Sequence, residues 1–78
     1  MSDQKRIVEK IAEYLSLQTA DIDLEAYLKD DLGLNAAEIA DLLDHLSQNF
    51  GIVFDTTEIS QVKTVGDLVD LTEDKLLE

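Results

Sequence analysis

The chain has 78 residues, with six Lys and Arg against eighteen Asp and Glu, for a net charge of −12. That length gives one domain, 1–78, without room for a second core, which excludes most enzymes. The charge repels nucleic-acid phosphates and anionic lipid headgroups, and the absence of Cys removes disulfides, thiol catalysis and cysteine metal sites.

Ile7, Val8, Ile11, Ala12 and Leu15 recur at steps of three and four, predicting a first helix over residues 3–16. Lys5, Arg6, Glu9, Lys10 and Glu13 take its wet face. Half of the positive charges lie here, so the remainder is more acidic than the average: residues 21–58 hold ten acids and a single base, Lys29. Residues 17–35 form a long connection whose Ile22, Leu24, Tyr27, Leu28, Leu32 and Leu34 are too apolar for a floppy linker. An ordered loop is expected, with one helical turn near Glu25 to Leu28, and a loop of this length in a compact domain points to function. Asn35 followed by Glu38 reads as a capping box and opens a second helix. Ile39, Leu42, Leu43, Leu46 and Phe50 form its apolar stripe, Gly51 stops it, and Glu38, Asp41, His45 and Gln48 occupy the opposite face. After a short extended run, Ile52 to Phe54, Asp55 and Glu58 repeat the box spacing for a brief third helix. Thr64 and Asp67 repeat it again, before Val65, Leu68, Val69, Thr72 and Leu76 on a fourth helix reaching about residue 77. The expected fold is all-α, a four-helix bundle of three longer helices and one short one with a long ordered first loop.

Several chemistries fail on residue identity. Asp21, Asp23 and Glu25 have the opening spacing of a calcium loop, but the sixth position is Ala26 rather than Gly and the twelfth is Leu32 rather than Glu. No metal site is expected, only a diffuse cation atmosphere. His45 and Ser47, two apart on a helix, point in nearly opposite directions and cannot act as base and nucleophile, so His45 is read as solvent-facing. Tyr14, Tyr27, Phe50 and Phe54 are too scattered for a base-stacking platform. No eighteen apolar residues follow one another, and the start carries no targeting pattern. A cytoplasmic monomer that neither binds nucleic acid nor inserts into membranes is expected.

The informative stretch is Asp30-Asp31-Leu32-Gly33-Leu34-Asn35-Ala36-Ala37-Glu38-Ile39. An acidic, Gly-containing loop here delivers the chain to a helix N-terminus, where unpaired N–H groups and the helix dipole favour a phosphate. Gly33 has two readings: a tight backbone turn, or room for another macromolecule to come close. These residues resemble the acyl carrier protein family, whose loop reads Asp-Leu-Gly-x-Asp-Ser-Leu-Asp or close variants. Asp31, Leu32 and Gly33 match residue for residue, Asn35 replaces the usual Asp, and Glu38 matches the acid after it. The run Val62-Lys63-Thr64-Val65-Gly66-Asp67-Leu68-Val69 also looks like the family's approach to its last helix, so the resemblance covers nearly the whole chain.

The resemblance implies a non-enzymatic carrier. In the family, the Ser between the two acids receives 4′-phosphopantetheine, whose terminal thiol holds acyl groups as thioesters, in fatty acid, polyketide and other lipid or secondary metabolism. This chain has Ala36 there, with Asp31, Leu32, Gly33 and Asn35 around it. Without a hydroxyl oxygen at position 36 no arm can be attached there, while replacement of Ala36 by Ser would restore the expected attachment residue. Ser47, three turns on, is no substitute. Either an introduced Ser-to-Ala change has made a homogeneous apo carrier, or the chain is a natural carrier-like adaptor without a prosthetic group; the retained box, loop acids and Gly favour the first. Partners implied are a phosphopantetheinyl transferase and acyl-transferring enzymes, whose basic patches would meet Asp30, Asp31, Glu38 and Asp41. Ala37, Ala40 and Asp44 stand where many family members carry larger apolar residues, which makes the apolar part of that docking face small and suggests a specialised carrier.

Overall fold

The computed structural model describes residues 3–77; residues 1, 2 and 78 of the expected domain lie outside the described residues. Its elements are α1 (Asp3–Leu15), a single 3-10 turn (Thr19–Asp21), α2 (Ala36–Phe50), α3 (Thr56–Gln61) and α4 (Val65–Leu76). Among the described residues there is no strand, only an isolated antiparallel bridge between Tyr27 and Thr64.

Each helix after the first begins with a complete capping box. Asn35, Asp55 and Thr64 accept the N–H of the residue three further on, and that residue's carboxylate accepts the cap's own N–H. Two of the four orphan amides at each of these helix starts are thereby hydrogen-bonded within four residues, which is why short polar-acid pairs suffice to fix three helix starts. Gly51 ends α2 with φ +66, and its N–H donates to the Ser47 carbonyl at 2.9 Å. At the end of α1 the same left-handed conformation falls on a residue with a Cβ: Ser16 has φ +60, and the following Leu17 N–H reaches back to the Ala12 carbonyl at 2.9 Å.

One cluster forms the core. Ile7 and Ile11 of α1, Ile39, Leu42, Leu43 and Leu46 of α2, and Val65, Leu68 and Val69 of α4 are buried together with Leu28 and Val62. α1 packs on both α2 and α4, whereas α3 touches α2 and buries no residue of its own. The expected four helices and their order are as the sequence predicts; the loop is different. Its helical turn lies at Thr19–Asp21 rather than at Glu25 to Leu28. Tyr27 is drawn instead into the bridge with Thr64, and the Leu28 N–H donates to the Lys63 carbonyl at 2.9 Å. Leu28 is completely buried, so a hydrophobic anchor from the loop outweighs local helix preference.

Candidate functional site

The loop 27–35 is a series of closed turns that deliver the chain to α2. The Asp31 and Leu32 N–H groups both donate to the Tyr27 carbonyl at 3.0 Å, Gly33 donates to Lys29, and Leu34 donates to Leu28. The Asp31 carboxylate closes the assembly from the other side by accepting the Tyr27 N–H at 2.7 Å. Leu32 and Leu34 are half-buried against the core. Gly33 has φ +70, and a Cβ there would meet nothing within 4 Å. The turn therefore requires the glycine by its backbone conformation, not because a neighbour crowds it.

Asn35 caps α2: its Oδ1 accepts the Glu38 N–H at 2.8 Å, and its own N–H donates to Glu38 Oε1 at 3.0 Å. Ala36 is the first helical residue and is exposed. Its amide and that of Ala37 have no partner within the helix, so the positive end of the dipole opens at this point. Asp30, Asp31, Glu38 and Asp41 are all exposed, and so are Ala37, Ala40 and Asp44. Of the four acids, Asp31 and Glu38 also hold backbone amides, whereas Asp30 and Asp41 make no such bond to the chain among the described residues.

Beside Ala36 lies a cleft of about 710 Å³ between the loop, the start of α2 and the segment from α3 to Lys63. Ala36, Ile39, Ile59 and Val62 supply its apolar surface, and Asp30 lies at its edge. The structure thus joins Ala36 and Asp30 in one space, with α3 as a wall that the sequence did not connect to the loop. What lies across the cleft includes Thr56 and Ser60, and the Ser60 hydroxyl donates to the Thr57 carbonyl at 2.8 Å.

The wall is tied to α4. Lys75 Nζ is 2.9 Å from Glu58 Oε1 and lies 5.7 Å from the centre of the Phe54 ring. Glu58 is held below its ordinary value, first by the Asp55 N–H and then by Lys75. Asp67 is lowered as well, chiefly by the Thr64 amide at the start of α4.

His45 corrects an expectation. It is half-buried rather than solvent-facing, because Tyr14 of α1 covers it with ring centroids 5.7 Å apart. Its Nε2 lies 3.7 Å from Glu13 Oε1 and makes no hydrogen bond. The Tyr14 hydroxyl donates to the Glu38 carbonyl at 3.4 Å and is pushed up by loss of water contact and by the charges of Asp41 and Glu38. Ser47 is turned away from the cleft, its hydroxyl donating to the Ile52 carbonyl.

The described residues thus form a helical bundle with an exposed, capped helix start after an acidic glycine loop. The family described as "Phosphopantetheine attachment site" matches residues 5–72. An acyl carrier protein of Thermotoga maritima is 32% identical over 80 residues, covering 97% of this chain and 99% of that protein. One from Exiguobacterium sibiricum is 36% identical over 67 residues, covering 86% and 85%. The crystal structure of a Thermotoga maritima acyl carrier protein superposes with a TM-score of 0.78 at 26% identity, covering 96% of this chain and 92% of that one. The chain belongs to the acyl carrier protein family, whose prosthetic group is phosphopantetheine and whose members serve the enzymes of acyl transfer.

Proposed function

We propose that this chain is an acyl carrier domain, spanning 1–78, that stays apo because Ala36 occupies the attachment position. The observation that carries the reading is the contrast at one residue: the acidic glycine loop, the capping box and the exposed helix start expected of an attachment site are present, and the side chain at that start is a methyl group. An ester to phosphate needs an oxygen on the protein. Ala36 offers none, Ser60 lies on the opposite wall, and the Ser47 hydroxyl is engaged with Ile52. The residues present therefore do not fit a covalently held arm at position 36.

Such a protein can still meet the partners of a carrier. Asp30 and Asp41 are exposed carboxylates flanking the start of α2 on the loop side and the helix side, with Asp31 and Glu38 between them. Basic patches on a phosphopantetheinyl transferase and on acyl-transferring enzymes would be drawn to them, with a gain mainly in encounter rate that falls as salt rises. The working form is read as a cytoplasmic monomer. Among the described residues no helix is long and apolar enough to cross a membrane.

The test is Ala36→Ser incubated with coenzyme A and a broad-specificity phosphopantetheinyl transferase, followed by intact mass measurement. A gain of one arm on the variant, and none on the parent, is the expected result. No gain on a folded Ala36→Ser protein would overturn the disabled-carrier reading in favour of an adaptor without a prosthetic group.

A further inference from the structure

Of the four aromatic residues, Tyr14, Phe50 and Phe54 pack against the core, whereas Tyr27 is 49% exposed. Its backbone is held from two sides. The Tyr27 N–H donates to the Asp31 carboxylate at 2.7 Å, and its carbonyl accepts the Asp31 and Leu32 N–H groups at 3.0 Å. Residues 24–28 are also strapped to the approach and start of α4: the Leu28 N–H donates to the Lys63 carbonyl at 2.9 Å, the Val65 N–H to that of Ala26 at 3.0 Å, and the Gly66 N–H to that of Leu24 at 2.8 Å. Gly66 permits this close approach, since a Cβ there would stand 3.0 Å from the Leu24 carbonyl oxygen. None of these bonds involves the Tyr27 side chain. An aromatic ring carried outward on a fixed backbone loses little freedom on docking, which is what makes rigid Tyr side chains effective anchors in protein interfaces.

The surroundings select the chemistry of the partner. Residues 21–31 hold five acids against a single base, Lys29, and Asp23, Glu25, Asp30 and Asp31 are exposed. An arginine satisfies ring and carboxylate together, because its guanidinium stacks on an aromatic face while its N–H fork pairs with an acid. Tyr27 and Asp30 border the same space as Ala36, so a protein that approaches position 36 meets both. We infer that Tyr27 is an aromatic anchor for the phosphopantetheinyl transferase, with a guanidinium of that enzyme stacked on the ring and paired with Asp30. The inference rests on the carrier reading and adds to its four acids a contact that salt screens less than it screens the carboxylates alone.

The experiment titrates the full chain into a broad-specificity phosphopantetheinyl transferase by calorimetry; with Ala36 in place no arm is transferred at that position during the measurement. Tyr27→Ala should weaken binding about fivefold or more, and Tyr27→Phe, which keeps the ring, should stay within about twofold of the parent. Val53 is 77% exposed and lies past the opposite end of α2, so Val53→Ala removes a comparable apolar contact elsewhere and should leave the affinity unchanged. Melting curves verify that the variants fold, and Tyr27→Gln repeats the test with a longer side chain that lacks the ring. Affinity of the Ala and Gln variants within about twofold of the parent, Tyr27→Phe as weak as Tyr27→Ala, an equal loss with Val53→Ala, or no measurable binding by the parent would each overturn the inference. Intact mass of Ala36→Ser judges the carrier reading separately: uptake of the arm there, with Tyr27→Ala binding as the parent does, would remove the anchor alone.

Discussion

Ser16 and Gly33 adopt nearly the same backbone conformation, φ +60 and +70, and only one of them is a glycine. The left-handed region costs an L residue roughly 1–2 kcal/mol, so the end of α1 holds a penalty that the loop avoids. Ser16→Gly is expected to raise stability by about 0.5–1 kcal/mol, and Gly33→Ala to lower it by about 1 kcal/mol, both read from denaturant midpoints. Open space around Gly33 makes the second change a test of conformation alone. For Gly33 the sequence offered two readings, a tight turn or room for a close approach, and its positive φ supports the turn. Ser16 was not legible, since serine at a helix end carries no mark of its φ. His45 shows the same limit: helix periodicity places it on the outer face of α2, but only the packing of α1 reveals Tyr14 over its ring.

At the scale of elements, α3 is the least self-sufficient. It has six residues, buries none of them fully, and depends on its capping box and on the Lys75–Glu58 pair. Glu58 sits below its ordinary value in the folded protein, so the folded state takes up that proton less readily than the unfolded chain. Its stabilising contribution is present above the unfolded Glu value of about 4.3 and disappears as pH falls through the lower folded value. The stability difference between the parent and Glu58→Gln should accordingly be largest above about pH 5 and close toward pH 3 in chemical denaturation. Lys75→Met should narrow that dependence without removing it, because the Asp55 N–H is the larger cause. A difference that widened on acidification would contradict this assignment. The box itself was readable from the Asp55, Glu58 spacing, and so were its counterparts at Asn35 and Thr64. Lys75 was not: it lies seventeen positions beyond Glu58, and no local rule pairs them. The cleft was hidden for the same reason, since Ala36 and Asp30 are visible in the loop motif while Ile59, Val62 and Lys63 become their neighbours only through the packing of α3 on α2 and the bridge at Tyr27.

Across the whole molecule, eighteen acids on 78 residues impose a self-repulsion that the core must overcome. The core is one cluster from α1, α2 and α4, with Leu28 from the loop, and nothing in it neutralises that surface charge. Added NaCl, and more steeply millimolar Mg²⁺, should therefore raise the melting temperature by screening. A melting temperature flat across both titrations would remove the claim. That expectation follows from composition alone, whereas the distribution of the few bases needed the fold: three lie on α1, Lys75 braces α3, and Lys29 and Lys63 share the cleft.

The carboxylate of Asp31 has two jobs at once, since it presents negative charge outward and receives the Tyr27 amide that closes the turn before α2. Anyone mapping enzyme contacts by reversing charges will find that Asp31→Lys perturbs the shape of the turn along with its sign, and a lost interaction there says little about recognition. Asp30 and Asp41, which hold no part of the backbone, give the interpretable reversals, and Asp31→Asn, able to keep an oxygen toward Tyr27, separates the two roles.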